Sequence, residues 1–75
     1  MSQTAHLTAN QRMADAVLQT KGTTLETFLA DHYRKGLSYE IIGRELHVET
    51  DGVVSPSYQT VKRWLKDFDL LEAVS

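Results

Sequence analysis

With 75 residues, 41% of them apolar and 24% charged, the chain suffices for one small folded domain and is too apolar for a disordered segment. It has no cysteine, which excludes disulfides, thiolate metal sites and cysteine nucleophiles, and no apolar run of about 18 residues to span a membrane. The net charge of −2, taken as an average, argues against a nucleic-acid or anionic-membrane partner.

The N-terminal stretch Met1–His6 lacks the basic start and apolar core of a signal peptide, so the expected location is the cytoplasm. Thr8 predicts the cap of a first helix over 8–21, with Met13 and Val17 one turn apart and Ala14 and Leu18 beside them. Lys21 in the last turn and Gly22 after it read as the stop. Thr23-Thr24-Leu25-Glu26 then reads as a capping box in which Thr23 and Glu26 satisfy each other's backbone donors. It opens a second helix over 24–35, whose apolar face is Leu25, Phe28, Leu29, His32 and Tyr33. Arg34 and Lys35 suit its C-terminal dipole end, and Gly36 closes it.

Ser38 caps a third segment over 38–50, with Ile41, Ile42, Leu46 and Val48 as its apolar side. Asp51-Gly52, flanked by Val48, Val53 and Val54, fits a hairpin turn. It also fits the end of a helix near Thr50 with Gly52 as the C-cap. The helix is favoured, because the chain offers no second strand-like run to extend a sheet.

Ser55-Pro56-Ser57 opens the fourth segment, over 57–68. At about 100° per residue, Tyr58, Val61, Trp64, Leu65 and Phe68 fall within about 120° of arc, the stripe of a core-facing helix. A break is expected near Phe68 or Asp69. It leaves an acidic tail over 69–75 in which Leu70, Leu71, Ala73 and Val74 are apolar. The predicted fold is therefore all-α, with four short helices.

Opposite the core stripe of the fourth segment lie Gln59, Lys62, Arg63 and Lys66, at i, i+3, i+4 and i+7. From Ser57 to Lys66 there are three basic residues and no acidic one. Reading a major groove needs such a face: Gln pairs bidentately with adenine, Arg with guanine, and Lys anchors phosphates. A capped helix N-terminus adds backbone N–H groups suited to a phosphate. The bland alternative is the solvated side of an amphipathic helix, and taken alone that is the commoner case.

Two preceding helices shift the balance. Ser38-Tyr39-Glu40-Ile41-Ile42-Gly43-Arg44-Glu45-Leu46, followed by Ser57-Tyr58-Gln59-Thr60-Val61-Lys62-Arg63-Trp64-Leu65, resembles a helix-turn-helix DNA-binding module. The likeness is to small regulatory proteins and repressor N-terminal domains of bacteriophages, especially actinobacterial ones, of the repressor/Cro or excisionase kind. It covers about residues 24 to 68. Gly43 matches the small residue within the first helix, and Val61, Lys62 and Trp64 match the aliphatic–basic–Trp pattern of the second. One departure stands out: Gly43 and Val61 are 18 residues apart, against about ten in a compact motif, which implies an insertion around His47 to Pro56.

The resemblance implies a trihelical core with an extended turn before the recognition helix. It places Ser57, Gln59, Thr60 and Arg63 near base edges or adjoining phosphates, and Lys62 and Lys66 on the DNA backbone. Tyr58 fits either the core or a DNA contact, with the core preferred. Trp64 is expected to pack against Phe28 and Ile42. Arg44, Arg34 and Lys35 fit either a wider phosphate surface or ordinary helix-end charge. The implied partner is double-stranded DNA, bound by a transcriptional regulator as a homodimer or in tandem, within the bacterial nucleoid.

Other classes are weaker. His6, His32 and His47 have no i, i+4 pairing, so no metal is expected. No Ser/His/Asp pattern, phosphate loop or paired carboxylate motif suggests an enzyme, a cofactor or a small-molecule substrate. The alternatives are an antirepressor or inhibitor docking on a host protein through Leu70, Leu71 and the acidic tail, and a DNA-architectural excisionase or small-terminase role. Divided along the chain, the charge reads differently. Residues 1–56 carry −2, residues 57–66 carry +3 and residues 67–75 carry −3.

Overall fold

Each helix of this protein starts at a hydroxyl side chain that accepts a bond from a backbone N–H three residues on. In the computed structural model, which describes residues 7–71, the order is α1 (Ala9–Thr20), α2 (Leu25–Arg34), α3 (Tyr39–Glu49) and α4 (Tyr58–Asp67). Among the described residues there is no strand, and the fold is all-α. Met1–His6 and Glu72–Ser75, with the readings placed on His6, Glu72, Ala73 and Val74, lie outside the described residues.

Thr8 caps α1 in a full capping box. Its Oγ1 accepts from the Gln11 N–H at 3.1 Å, and Gln11 Oε1 accepts from the Thr8 N–H at 2.9 Å. Ser38 and Ser57 cap α3 and α4, accepting from the N–H groups of Ile41 (3.2 Å) and Thr60 (3.3 Å). The cap of α2 is Thr24 rather than the expected Thr23, with its Oγ1 accepting from the Thr27 N–H at 3.1 Å. Thr23 is already engaged in closing α1, where its N–H donates to the Leu18 carbonyl at 3.1 Å.

The C-termini explain the breaks. At the end of α3 the chain reverses at Asp51, in the left-handed region at φ 57°, and Gly52 is one residue further on. The Asp51 N–H donates to the Val48 carbonyl (3.0 Å) and the Gly52 N–H to the His47 carbonyl (2.8 Å). These two bonds make a Schellman stop in place of a hairpin, with Thr50 and not Gly52 as the C-cap. α4 ends the same way: Asp69 (φ 59°) bonds back to Lys66, and Leu70 to Leu65 at 2.8 Å. That closure folds Leu70 onto the core, where Leu71 is also half-buried. Both leucines are partly buried against the core.

Ala14, Leu18, Leu25, Phe28, Leu29, Ile42, Leu46, Val54, Val61, Trp64 and Leu65 form one buried cluster, with Trp64, Phe28 and Ile42 as common members. Several expected core residues lie outside it. Met13 is 44% exposed, because α1 turns Gln11, Ala14 and Leu18 inward, one residue (about 100°) round from the Met13 row. α3 buries only Ile42, Gly43 and Leu46, and Ile41 and Val48 fall on its outer side. Tyr58 is 55% exposed at the start of α4 and does not close the core.

The inner face of α3 includes a glycine because the chain runs close to it. A Cβ on Gly43 would stand 2.8 Å from the Pro56 carbonyl oxygen and 3.2 Å from Val61 Cγ2. The chain leading into α4 therefore passes directly over a missing side chain. The residues between α3 and α4 are ordered by polar contacts. Buried Thr50 donates from Oγ1 to the Leu46 carbonyl (2.8 Å) and accepts from the Val54 N–H (3.4 Å). His47 donates from Nδ1 to the Val54 carbonyl at 2.9 Å, and Val54 itself reaches the core.

Three side chains tie distant elements together. Asp15 accepts the Leu25 N–H at 2.9 Å, covering a free donor at the start of α2. Lys21 Nζ donates to the Glu49 carbonyl at 2.7 Å, at the end of α3, and lies 3.4 Å from Asp51. Gln11, 1% exposed, donates from Nε2 to Asp67 Oδ2 at 3.0 Å and so joins the first turn of α1 to the last residue of α4.

Candidate nucleic-acid interface

α4 separates its residues cleanly. Val61, Trp64 and Leu65 are buried, while Gln59, Lys62, Arg63 and Lys66 are exposed on the opposite side, where they line one shallow depression. Among the described residues no carboxylate lies within 4.0 Å of Lys62, Arg63 or Lys66; the ion pairs found are Lys21–Asp51 and Lys35–Asp31. Cations without local partners keep their charge directed to solvent, which an anionic ligand requires.

The first turn of α4 carries no acidic residue, whereas Glu26 and Glu40 occupy the first turns of α2 and α3. Its positive dipole end is thus uncompensated by side-chain charge. Ser57 Oγ covers the Thr60 N–H and lies 3.2 Å from Thr60 Oγ1. Ser57 and Thr60 are therefore engaged with each other as a cap, and half-buried Thr60 is less available to a base than its helix position alone suggests. Tyr58 stands over a shallow groove that it shares with Ser38, Tyr39 and Glu40, so the first turns of α3 and α4 open side by side.

The remaining expected contacts are placed less favourably. Arg44 is exposed on α3 but does not join the four residues of the α4 depression. Lys35 pairs with Asp31 at 3.5 Å, and Arg34 borders the tail turn at Asp69 and Leu70, which fits the helix-end reading of both. His32 is half-buried, bonded through Nδ1 to the Phe28 carbonyl (2.9 Å) and stacked on the Phe28 ring at 4.0 Å. His47 is bonded to the linker. No group of three His, Cys, Asp or Glu residues is placed to hold a metal among the described residues, and none of their helices is long and apolar enough to cross a membrane.

Two polar residues that matter here are silent in the sequence. Nothing in the sequence gives Gln11 a role, and Asp67 belongs to the acidic C-terminal stretch and is exposed, yet the two bond across 56 positions. Only the burial of Gln11 on the inner face of α1 reveals the link. No protein-family model, curated protein or solved structure matches this chain.

Proposed function

We propose that this protein binds double-stranded DNA sequence-specifically by laying α4 in the major groove, and that it serves as a small transcriptional regulator of the bacteriophage repressor or Cro kind. The observation that carries the reading is the exposed face of Gln59, Lys62, Arg63 and Lys66, with no carboxylate within salt-bridge distance among the described residues. A ten-residue helix is about 15 Å long and fits a groove about 12 Å wide. Gln59 and Arg63 are the base-reading pair, and Lys62 and Lys66 flank them toward the phosphates. Ser57, Tyr58 and Thr60 frame the helix start near the backbone, and Arg44 is a peripheral contact.

The reading involves no catalysis, metal or cofactor. One module of this size covers about 600–1,000 Å² on DNA, so two-fold pairing on a palindrome or tandem binding would supply the remaining specificity. The test is selection of binding sites from random duplexes, followed by sequencing. An enriched motif supports the reading, and an unenriched pool at low salt sinks it.

A second reading, a protein-interaction module, has one observation in its favour. Ile41, Val48 and Val53, on the outer side of α3 and in the following loop, are 39%, 63% and 45% exposed. A chain that fails to bind duplex DNA but co-purifies with a host protein through these residues would take this reading instead.

A further inference from the structure

Arg63 and Asp67 are four residues apart on α4, the spacing at which opposite charges on a helix ordinarily pair. They are not within 4.0 Å here, and the Asp67 carboxylate instead accepts from Gln11 Nε2 at 3.0 Å. Gln11 is held for this task. Its Oε1 is fixed by the Thr8 N–H (2.9 Å), and its side chain is buried on the inner face of α1. The amide therefore has one orientation, with the nitrogen toward α4.

We infer that Gln11 is a positioning residue for the DNA-binding face: by engaging Asp67 it keeps that carboxylate off Arg63 and leaves the guanidinium free for an anionic ligand. The inference rests on the DNA-binding reading for its consequence, but its physical core concerns only residues of this chain. Without the Gln11 donor, Asp67 is the nearest acid along the helix able to pair with and neutralise Arg63. Asp67 has no other side-chain donor among the described residues.

Two measurements test it on the full chain. The first needs no DNA: the Arg63 Nε–H signal is followed by NMR in the parent, Asp67→Asn, Gln11→Met and Gln11→Met/Asp67→Asn. The expected result is that Asp67→Asn leaves the signal unmoved in the parent and shifts it in the Gln11→Met background, where the Arg63–Asp67 pair has formed. A signal indifferent to Asp67 in both backgrounds overturns the inference.

The second measures binding to sheared mixed-sequence duplex DNA at low salt. Gln11→Met is expected to weaken binding by about two-fold, the size of one i, i+4 pair, and adding Asp67→Asn is expected to restore it. A loss that Asp67→Asn does not rescue marks Gln11 as merely structural and overturns the inference. If Gln11→Met does not fold, Gln11→Ala removes the same donor while keeping a good helix former in the first turn of α1, with the same expected outcomes. A parent chain that binds no duplex at all defeats the DNA reading alone, and the NMR result still decides the role of Gln11.

Discussion

Gly43 shows how one atom sets the geometry of this protein. In an exposed helix a Gly→Ala change gains about 1 kcal/mol of helix propensity. At Gly43 the new methyl would meet a backbone oxygen at 2.8 Å, and a backbone atom cannot swing away as a side chain would. Overpacking of that kind costs about 1–3 kcal/mol, so the steric term wins. Gly43→Ala is expected to lower stability by up to about 2 kcal/mol in urea unfolding, and a stabilised variant would contradict the close approach of Pro56. Thr50 gives a second test at this scale. Thr50→Val keeps the shape but removes the partner of the Val54 N–H, at an expected cost of about 1–3 kcal/mol. Residue identities of this kind were only partly legible. A small residue at Gly43 was readable as a pattern, but what presses on it was not. Met13 and Tyr58 looked apolar enough for the core and face solvent. One residue of helix rotation decides the side for Met13, whereas Tyr58 shares the face of buried Leu65 but is the first residue of α4, at the end of the buried stripe.

At the scale of elements, local chemistry was the most legible part of the chain. Thr8, Ser38 and Ser57 cap the helices that follow them, and α4 breaks at Phe68–Asp69. Thr23 and Thr24 were ambiguous because adjacent threonines offer the same cap, and only the closure of α1 decides between them. The two non-glycine reversals differ in a way that can be measured. Asp51 and Asp69 both take positive φ, where glycine is less strained. Asp51 also meets Lys21 at 3.4 Å, an exposed pair worth at most about 1 kcal/mol. Asp69→Gly is therefore expected to raise stability by about 0.5–1 kcal/mol, and Asp51→Gly by less, in thermal unfolding. Equal gains would mean that the Lys21 contact contributes nothing.

For the molecule as a whole, the placement of charge distinguishes more than its sum. A net charge of −2 suggests a protein with no use for DNA, yet α4 gathers three cations that no described carboxylate pairs. The sequence pattern put Gln59, Lys62, Arg63 and Lys66 on one face, since helical spacing is local information. The packing that leaves this face clear was not readable, because the Gln11–Asp67 bond joins positions whose proximity only the tertiary fold creates. The departure between Gly43 and Val61 was visible as a length. Its physical form, an α3 that runs on to Glu49 and a linker held by Thr50 and His47, was not.

The central claim, that α4 is a DNA-reading helix with few phosphate contacts, meets its most direct test in a salt titration. Binding is measured on a selected duplex and a scrambled one, for the parent and for Lys62→Ala/Arg63→Ala. About three phosphate contacts predict a slope of log K against log salt near −3 for the parent, weak affinity for the scrambled duplex, and a slope shallower by about one per lost phosphate contact in the variant. The lost Arg63 base contact should cost a further ~1–3 kcal/mol on the selected duplex alone. Binding by the variant equal to the parent's, at every salt concentration and on both duplexes, would contradict the account.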